Sequence, residues 1–434
     1  MKNLTRILLI LFALSSYAQD FDKEKLDKFL DLIESNDRGM GSLAISKSGN
    51  TVYQKAIGYS SVEEKKESDP QTQYRIGSVS KTFTATIIMQ LIQENKLTLE
   101  TKLAEYFPEI PNAEEIAVEH LLRHRSGIFN ITSSPDFTSW MTSTFTKDQL
   151  LRKIKSFDPV FSPDDRAEYS NSNYILLTFI TEEIEKDTYK EILSDRIVSS
   201  CSLERTKYGD KINEKNNEAF SYSWNGNWSR EVESDMSIPQ GAGGIISTPS
   251  ELNDFLNCLF TNELVTEESL KLMTKLKDGF GLGLLQVPFY SKKAFGHNGG
   301  IDGFQTMSYY FPKEEVAVAY ISNGTVMSVN DLLIGVLSIY FGMDYQLPRF
   351  IDVDKDILKK YEGTYSSSSF PMDISIFVEN GILKAQATGQ PSFPLEAVDE
   401  TTFKFSAANV LMTFQESGKM RFEQRGAKFE LSKK

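Results

Sequence analysis

The sequence predicts an α+β fold: an antiparallel sheet built from N- and C-terminal strands, flanked by helices with a large helical insertion, followed by a small all-β, barrel-like domain. Three observations carry this expectation. Strand–turn–strand patterns stand near both ends of the first 346 residues. The stretch between them, roughly residues 80–275, is dominated by apolar residues at helical spacing. From residue 361 onward, short alternating runs punctuated by glycine replace both patterns.

Taken in order, the chain opens with Lys2 and Arg6, a continuous apolar run over residues 7–14, and the small-x-small triplet Ser16-Tyr17-Ala18. This is the pattern of a cleavable export signal over residues 1–18, cut after Ala18. The run is far shorter than the roughly 20 residues that span a bilayer. Leu26, Phe29, Leu30 and Ile33 recur at helical spacing, so residues 21–35 read as an amphipathic helix. Residues 42–46 and 51–57 then flank the turn residues Lys47-Ser48-Gly49-Asn50, a hairpin signal. A second hairpin is read at residues 303–311 and 316–321, and an apolar helix over residues 329–341 would pack back on the sheet. Strands at both ends with helices between make one layered domain over residues 19–346. Leu347-Pro348-Arg349 begins a linker over residues 347–360, and residues 361–434 form the small β module.

Composition narrows the function classes. Hydrophobic residues make up 40% of the chain and charged residues 25%, ordinary values for a folded globular protein. A net charge of −13 without any basic cluster argues against a nucleic-acid partner. No stretch after the signal approaches spanning length, so no stable membrane span is expected once the signal is removed, and the location expected is periplasmic or secreted. Cys201 and Cys258 are the only cysteines, and Cys258 falls on the apolar face of a helix at residues 252–260, so a buried free thiol is expected there.

The chemistry-bearing residues lie in three short segments. In Gly77-Ser78-Val79-Ser80-Lys81, Ser78 precedes the helical pattern of Phe83, Ile87, Leu91 and Ile92, placing it at a helix start. Serine is common there as a cap, but free backbone N–H groups at a helix start also suit an oxyanion. Lys81, three residues on, shares its face. A hydroxyl becomes a useful nucleophile only when a base takes its proton. Lysine can be that base if burial lowers its pKa from about 10.4 toward 7, at a cost on the order of 4 kcal/mol. In Tyr169-Ser170-Asn171, the tyrosine can be held as a phenolate or relay a proton, and Asn171 offers a donor and an acceptor. In His297-Asn298-Gly299-Gly300, the glycines let backbone N–H groups approach a substrate unobstructed.

These three elements, in this order, resemble the serine β-lactamase and penicillin-binding protein superfamily, in particular its class C-like branch of esterases, D-aminopeptidases and D,D-peptidases. Flanking segments agree: Tyr74-Arg75-Ile76-Gly77, Lys96-Leu97-Thr98-Leu99, the run from His120 to Gly127, Gly243-Gly244-Ile245-Ile246-Ser247-Thr248, and Phe280-Gly281-Leu282-Gly283. The C-terminal module is similar to the lipocalin-like barrels appended to such hydrolases. The resemblance implies Ser78 as acylated nucleophile, with Lys81 and Tyr169 as its base and acid partners. It implies Asn171, His297, Asn298, Gly299 and Gly300 as substrate and oxyanion contacts, the last through backbone N–H groups of Ser78 and Gly300.

One departure matters. Class C β-lactamases carry Lys-Thr-Gly in the third segment, where the cation helps hold the substrate carboxylate; here it is His297-Asn298-Gly299. A neutral imidazole supplies no dependable charge. The activity expected is therefore cleavage of an ester, a small amide or a D-amino-acid peptide bond. A β-lactamase, a D,D-peptidase or a non-turnover acylated sensor is the alternative. The partner expected is a small-molecule or peptide substrate, with cell-wall fragments among the candidates. No cofactor is expected, and no metal: His120 and His124, four apart on a helix, lack a third ligand.

Overall fold

The computed structural model describes residues 21–379, 381–390, 392–405 and 408–434; the expected export signal lies outside them. Both expected hairpins form and meet in one six-stranded antiparallel sheet. Its order is Leu285–Phe289, Lys292–Ile301, Phe304–Phe311, Val316–Thr325, Gly39–Lys47, Asn50–Ile57. The central seam joins the two ends of the domain, with Ile45 opposite Val318 and Leu43 opposite Tyr320. The sequence pattern marks the late hairpin only from residue 303, with the His297 segment just before it. In the structure that segment is itself a strand, Lys292–Ile301, and a further strand, Leu285–Phe289, forms the sheet's outer edge.

The sheet is covered on both faces, which explains the unbroken apolar run Val316-Ala317-Val318-Ala319-Tyr320-Ile321. Val316, Val318 and Tyr320 face the helices Lys23–Ser35 and Val329–Tyr340, where Leu26, Phe29, Leu30 and Ile33 are buried as their spacing requires. Ala317, Ala319 and Ile321 face the opposite way, into the core of the helical insertion. There the helix Ser80–Gln93 is buried nearly all round, and its Phe83 stacks on Phe255 of helix Pro249–Phe260 with ring centroids 3.7 Å apart.

Between sheet and insertion lies a three-stranded patch, Tyr74–Arg75 and Lys207–Tyr208 on either side of Ile245–Ser247. It delivers Arg75 into a buried polar junction. The guanidinium donates to Asp302 at 2.8 Å, Glu233 at 3.2 Å, Ser234 O at 2.9 Å and Asp210 O at 3.0 Å. Asp302 also accepts from the Ser234 backbone N–H and hydroxyl. One buried ion pair thus ties the strand before Ser78, the loop 231–236 and the hairpin tip after Gly300.

The C-terminal residues form a separate nine-stranded antiparallel sheet. Its two terminal strands, Phe393–Pro394 and Glu396–Ala397, are neighbours in the chain, so the sheet curls until it nearly closes. Tyr365, Ile374, Leu383, Phe403, Met412, Phe422 and Leu431 fill its interior. Helix Lys355–Tyr361 adds Leu358 to that interior. Both cysteines are free. Cys258 is buried as expected, and its proximity, with burial, raises the pKa of the Cys201 thiol.

Replacing Arg75 by alanine would strand Asp302, whose side chain is 1% exposed, without its cation. We expect Arg75→Ala to lower the unfolding free energy by about 3–5 kcal/mol, read from urea denaturation monitored by circular dichroism.

Candidate active site

Ser78 sits in a single 3-10 turn, Gly77–Val79, that runs directly into helix Ser80–Gln93. Gly77 has φ +52°, a left-handed conformation that favours glycine. The turn lies against the free edge of strand Lys292–Ile301, because the neighbouring strand stops at Leu285, opposite Gly296. Backbone meets backbone here. A Cβ on Gly77 would fall 2.8 Å from Gly300 N, and one on Gly299 would fall 2.1 Å from Ile76 O and 2.9 Å from Ser78 N. The pair Ile301–Phe304 closes a two-residue turn and is therefore hydrogen-bonded across the hairpin. Gly300, one residue back, consequently points its N–H away from Phe304–Phe311 and toward the Ser78 turn.

Four of the residues singled out in the sequence converge. Lys81 Nζ lies 3.0 Å from Ser78 Oγ, 2.7 Å from Asn171 Oδ1 and 2.6 Å from Ala242 O. The Tyr169 hydroxyl donates to Ser78 Oγ at 2.7 Å. Lys81 is fully buried, and the loss of water pushes its pKa well below the usual lysine range. A neutral amine fits its partners: two N–H bonds go to the obligate acceptors Asn171 Oδ1 and Ala242 O, leaving the lone pair for the Ser78 O–H. Burial likewise raises the Tyr169 pKa, so the phenol is protonated rather than a phenolate. Asn171 is held at both ends, its Nδ2 donating to Thr132 Oγ1 at 2.8 Å.

His297 is in the sheet, 4% exposed, with its Nδ1 facing the carbonyl of exposed Asn298. Burial, then the nearby Lys81, depress its pKa to about 4, so the ring is neutral at pH 7. His120 and His124 do not share one helix. Helix Val118–Leu122 ends before His124, which has φ +57°. His124 instead packs its ring 4.4 Å from that of Tyr169 and accepts the Ser170 N–H at 3.2 Å, fixing the tyrosine segment from behind. No metal-binding cluster occurs among the described residues, nor any helix long and apolar enough to cross a membrane.

Ser78, Asn171 and Gly300 open onto a cleft of about 420 Å³ whose other walls include Thr132, Phe137, Met141, Val232, Ile238, Ala242 and Asp302. None of the three tryptophans lines it. Thr132 and Ala242 complete the arrangement around Ser78 and Lys81 without standing out in the sequence, and His124, which the sequence marks only through the His120–Gly127 run and the histidine pair, joins them from behind Tyr169. Ala242 contributes only a carbonyl, and no side-chain pattern could have marked it.

A serine, a buried amine and a phenol in one hydrogen-bonded group, on a sheet covered by helices on both faces, define a serine-hydrolase-type fold. Residues 27–337 match the Beta-lactamase family, and the chain belongs to that family of hydrolases. It is 23% identical to penicillin-binding protein 4* of Bacillus subtilis (strain 168), over 86% of this chain and 89% of that one. It is 26% identical to the teichoic acid D-alanine hydrolase of Staphylococcus aureus (strain NCTC 8325 / PS 47), over 70% of this chain and 74% of the other. Among solved structures, a D-amino acid amidase from Ochrobactrum anthropi SV3 superposes with a TM-score of 0.63 at 26% identity, covering 72% of this chain and 99% of that one. The octameric penicillin-binding protein homologue from Pyrococcus abyssi, TM-score 0.68 at 24% identity, covers 95% of this chain and 100% of its own.

Two outcomes follow from this geometry. Gly299→Ala places its methyl against backbone that has no side chain to yield. It should leave the far-ultraviolet circular dichroism intact while slowing fluorophosphonate labelling of Ser78 by about tenfold or more. His297, charged in the unfolded chain below pH 6.5 but neutral in the fold down to about 4, weakens folding progressively across that window as pH falls. Wild type should therefore lose stability faster than His297→Asn between pH 6.5 and 4, by about 1.4 kcal/mol per pH unit, in urea titrations at stepped pH.

Proposed function

We propose that the chain is an exported hydrolase that cleaves an ester or small amide through an acyl-enzyme on Ser78. The observation that carries this reading is the pair of contacts on Ser78 Oγ, from Lys81 Nζ at 3.0 Å and Tyr169 Oη at 2.7 Å. In the proposed cycle Ser78 Oγ attacks the substrate carbonyl carbon as its proton passes to the neutral Lys81 amine. The oxyanion that forms is held by the backbone N–H groups of Ser78 and Gly300. Collapse breaks the bond to the leaving group, which takes a proton from the Tyr169 phenol, replenished by Lys81. Water then attacks the acyl carbon, releases the acid and restores the Ser78 proton. The depressed Lys81 pKa and raised Tyr169 pKa support lysine as first base and tyrosine as acid.

The same cleft argues against β-lactams. Those substrates carry a carboxylate, and the neutral, buried His297 offers it no cation. Two relatives are described as a teichoic acid D-alanine hydrolase and a D-amino acid amidase, which supports D-aminoacyl esters or amides, cell-wall fragments among them, as substrates here. Export rests on the pattern of residues 1–18.

Incubation of the protein with a fluorophosphonate, a chromogenic short-chain ester and a chromogenic cephalosporin tests the proposal by mass and colour. We expect covalent mass on Ser78, turnover of the ester and little turnover of the cephalosporin. Ser78→Ala should abolish labelling and lower ester turnover by about 10⁴-fold or more, and Lys81→Met should lower it comparably. Full turnover by Ser78→Ala would end the proposal, and a stable label without turnover would favour a sensor.

A further inference from the structure

When Ser78 Oγ attacks a carbonyl carbon, its proton passes to Lys81, and a fully buried amine becomes a fully buried ammonium. Left uncompensated, that desolvated charge would raise the barrier to the very step the amine assists. The three N–H groups of the ammonium are matched, by Asn171 Oδ1 at 2.7 Å, Ala242 O at 2.6 Å and Ser78 Oγ at 3.0 Å. Its charge, by contrast, has no fixed counter-ion. Burial alone shifts Lys81, with no carboxylate among the described residues acting against it. The titratable side chains around it are neutral at pH 7. Burial raises the pKa of the Tyr169 and Tyr174 phenols, and lowers that of the His124 and His297 rings.

What faces the nitrogen instead is aromatic. Lys81 Nζ lies over the Tyr169 ring, 4.9 Å from its centroid, and over the Tyr174 ring, 5.6 Å from its centroid. Both distances fall within the roughly 6 Å over which the negative face of an aromatic ring attracts a cation. Tyr174 stands near the start of helix Asn171–Glu185 and is completely buried. Its hydroxyl is tied to Leu122 O at 2.8 Å, so the group it offers to Lys81 is the ring alone. The His124 ring packs against both tyrosines, 4.4 Å from Tyr169 and 5.3 Å from Tyr174, and holds them apart. We infer that Tyr174 is a positioning residue of the reaction, whose ring face steadies the ammonium that Lys81 becomes on taking the Ser78 proton. A ring suits this place better than a carboxylate. A carboxylate would keep the lysine protonated at rest and cancel it as a base, whereas the weaker pull of a ring leaves burial in control of the resting state. This inference rests on the acyl-enzyme chemistry proposed above and adds to it the group that answers the transient charge.

The test replaces Tyr174 by phenylalanine, and by difluoro- and trifluorophenylalanine incorporated at the same position, which keep the size of the ring while draining its negative face. The readout is kcat/KM for a chromogenic short-chain ester between about pH 4 and 9, per active site counted by exhaustive fluorophosphonate labelling. The acidic limb of that profile reports the ammonium of Lys81 in the free enzyme. A weaker ring face makes the ammonium less stable, so the limb should move to lower pH by about half a unit or more from Tyr174→Phe to the trifluoro variant. The plateau should fall by about twofold or more along the same series, because the ammonium formed in the attack loses the same support. A merely structural role gives a different pattern: loosened packing admits water to Lys81 and moves the limb upward. Should Tyr174→Phe fail to fold, difluorotyrosine at this position, compared with wild type, retains the hydroxyl bond to Leu122 O. A limb and plateau that stay fixed across the fluorinated series, or a limb that moves upward, overturns the inference and leaves the acyl-enzyme proposal standing. Absence of both labelling and turnover in wild type overturns both.

Discussion

A lysine amine with no access to water must be matched by its surroundings, and in this chain three distant segments converge to match Lys81. Ser78 comes from the turn before its own helix, Asn171 from the start of helix Asn171–Glu185, and Ala242 from the 3-10 turn Gln240–Ala242. Removing any one would leave the others around a desolvated nitrogen with a vacant position. The Thr132 contact to Asn171, the stacking of His124 behind Tyr169 and the burial of the whole Ser80–Gln93 helix all serve to keep that nitrogen dry and its neighbours oriented. Dryness is also what moves the Lys81 pKa down, so the packing constraint and the chemical one are the same constraint.

The second requirement is backbone proximity. Strand Lys292–Ile301 and the Ser78 turn approach so closely that glycine is needed at Gly77 and Gly299. The approach is held from the side by the Arg75–Asp302 pair, one end of which lies just before Ser78 and the other just after Gly300. Ion pair and glycine contact act as a hinge pin and a bearing surface, fixing the spacing between the two N–H groups at the mouth of the cleft. The electrostatic character of that mouth comes from the same elements, since the His297 ring is buried and neutral near Tyr169 and Asp302 is already matched.

Much of this was legible in the sequence. The Leu26, Phe29, Leu30, Ile33 spacing and the two turn-flanked apolar runs gave the sheet seam and its covering helices. Ser78, Lys81, Tyr169 and Asn171, distant in the sequence but marked there by their short segments, lie within hydrogen-bonding distance of one another in a single group. The strand bearing His297 was not legible, because Gly296, Gly299 and Gly300 interrupt alternation and glycine disfavours strands. The two- and three-residue strands of the small patch carry no period at all. Arg75 and Asp302 are 227 residues apart, beyond any local pattern. His124 was placed on a helix that ends before reaching it, since nothing in its own residues announces the left-handed turn.

The outer strand of the main sheet, Leu285–Phe289, has one free side, and Pro288 stands next to its end. Phe289 and Lys292 close a two-residue turn and so form the hydrogen-bonded pair. Pro288, one residue back and opposite Lys293, therefore turns its nitrogen outward to that free side, where a strand from another molecule would look for an N–H and find none. With Lys292 and Lys293 beside it, this border resists edge-to-edge pairing between copies. A sheet that must stay open on one strand to receive the Ser78 turn is in this way kept from growing into an aggregate at the next.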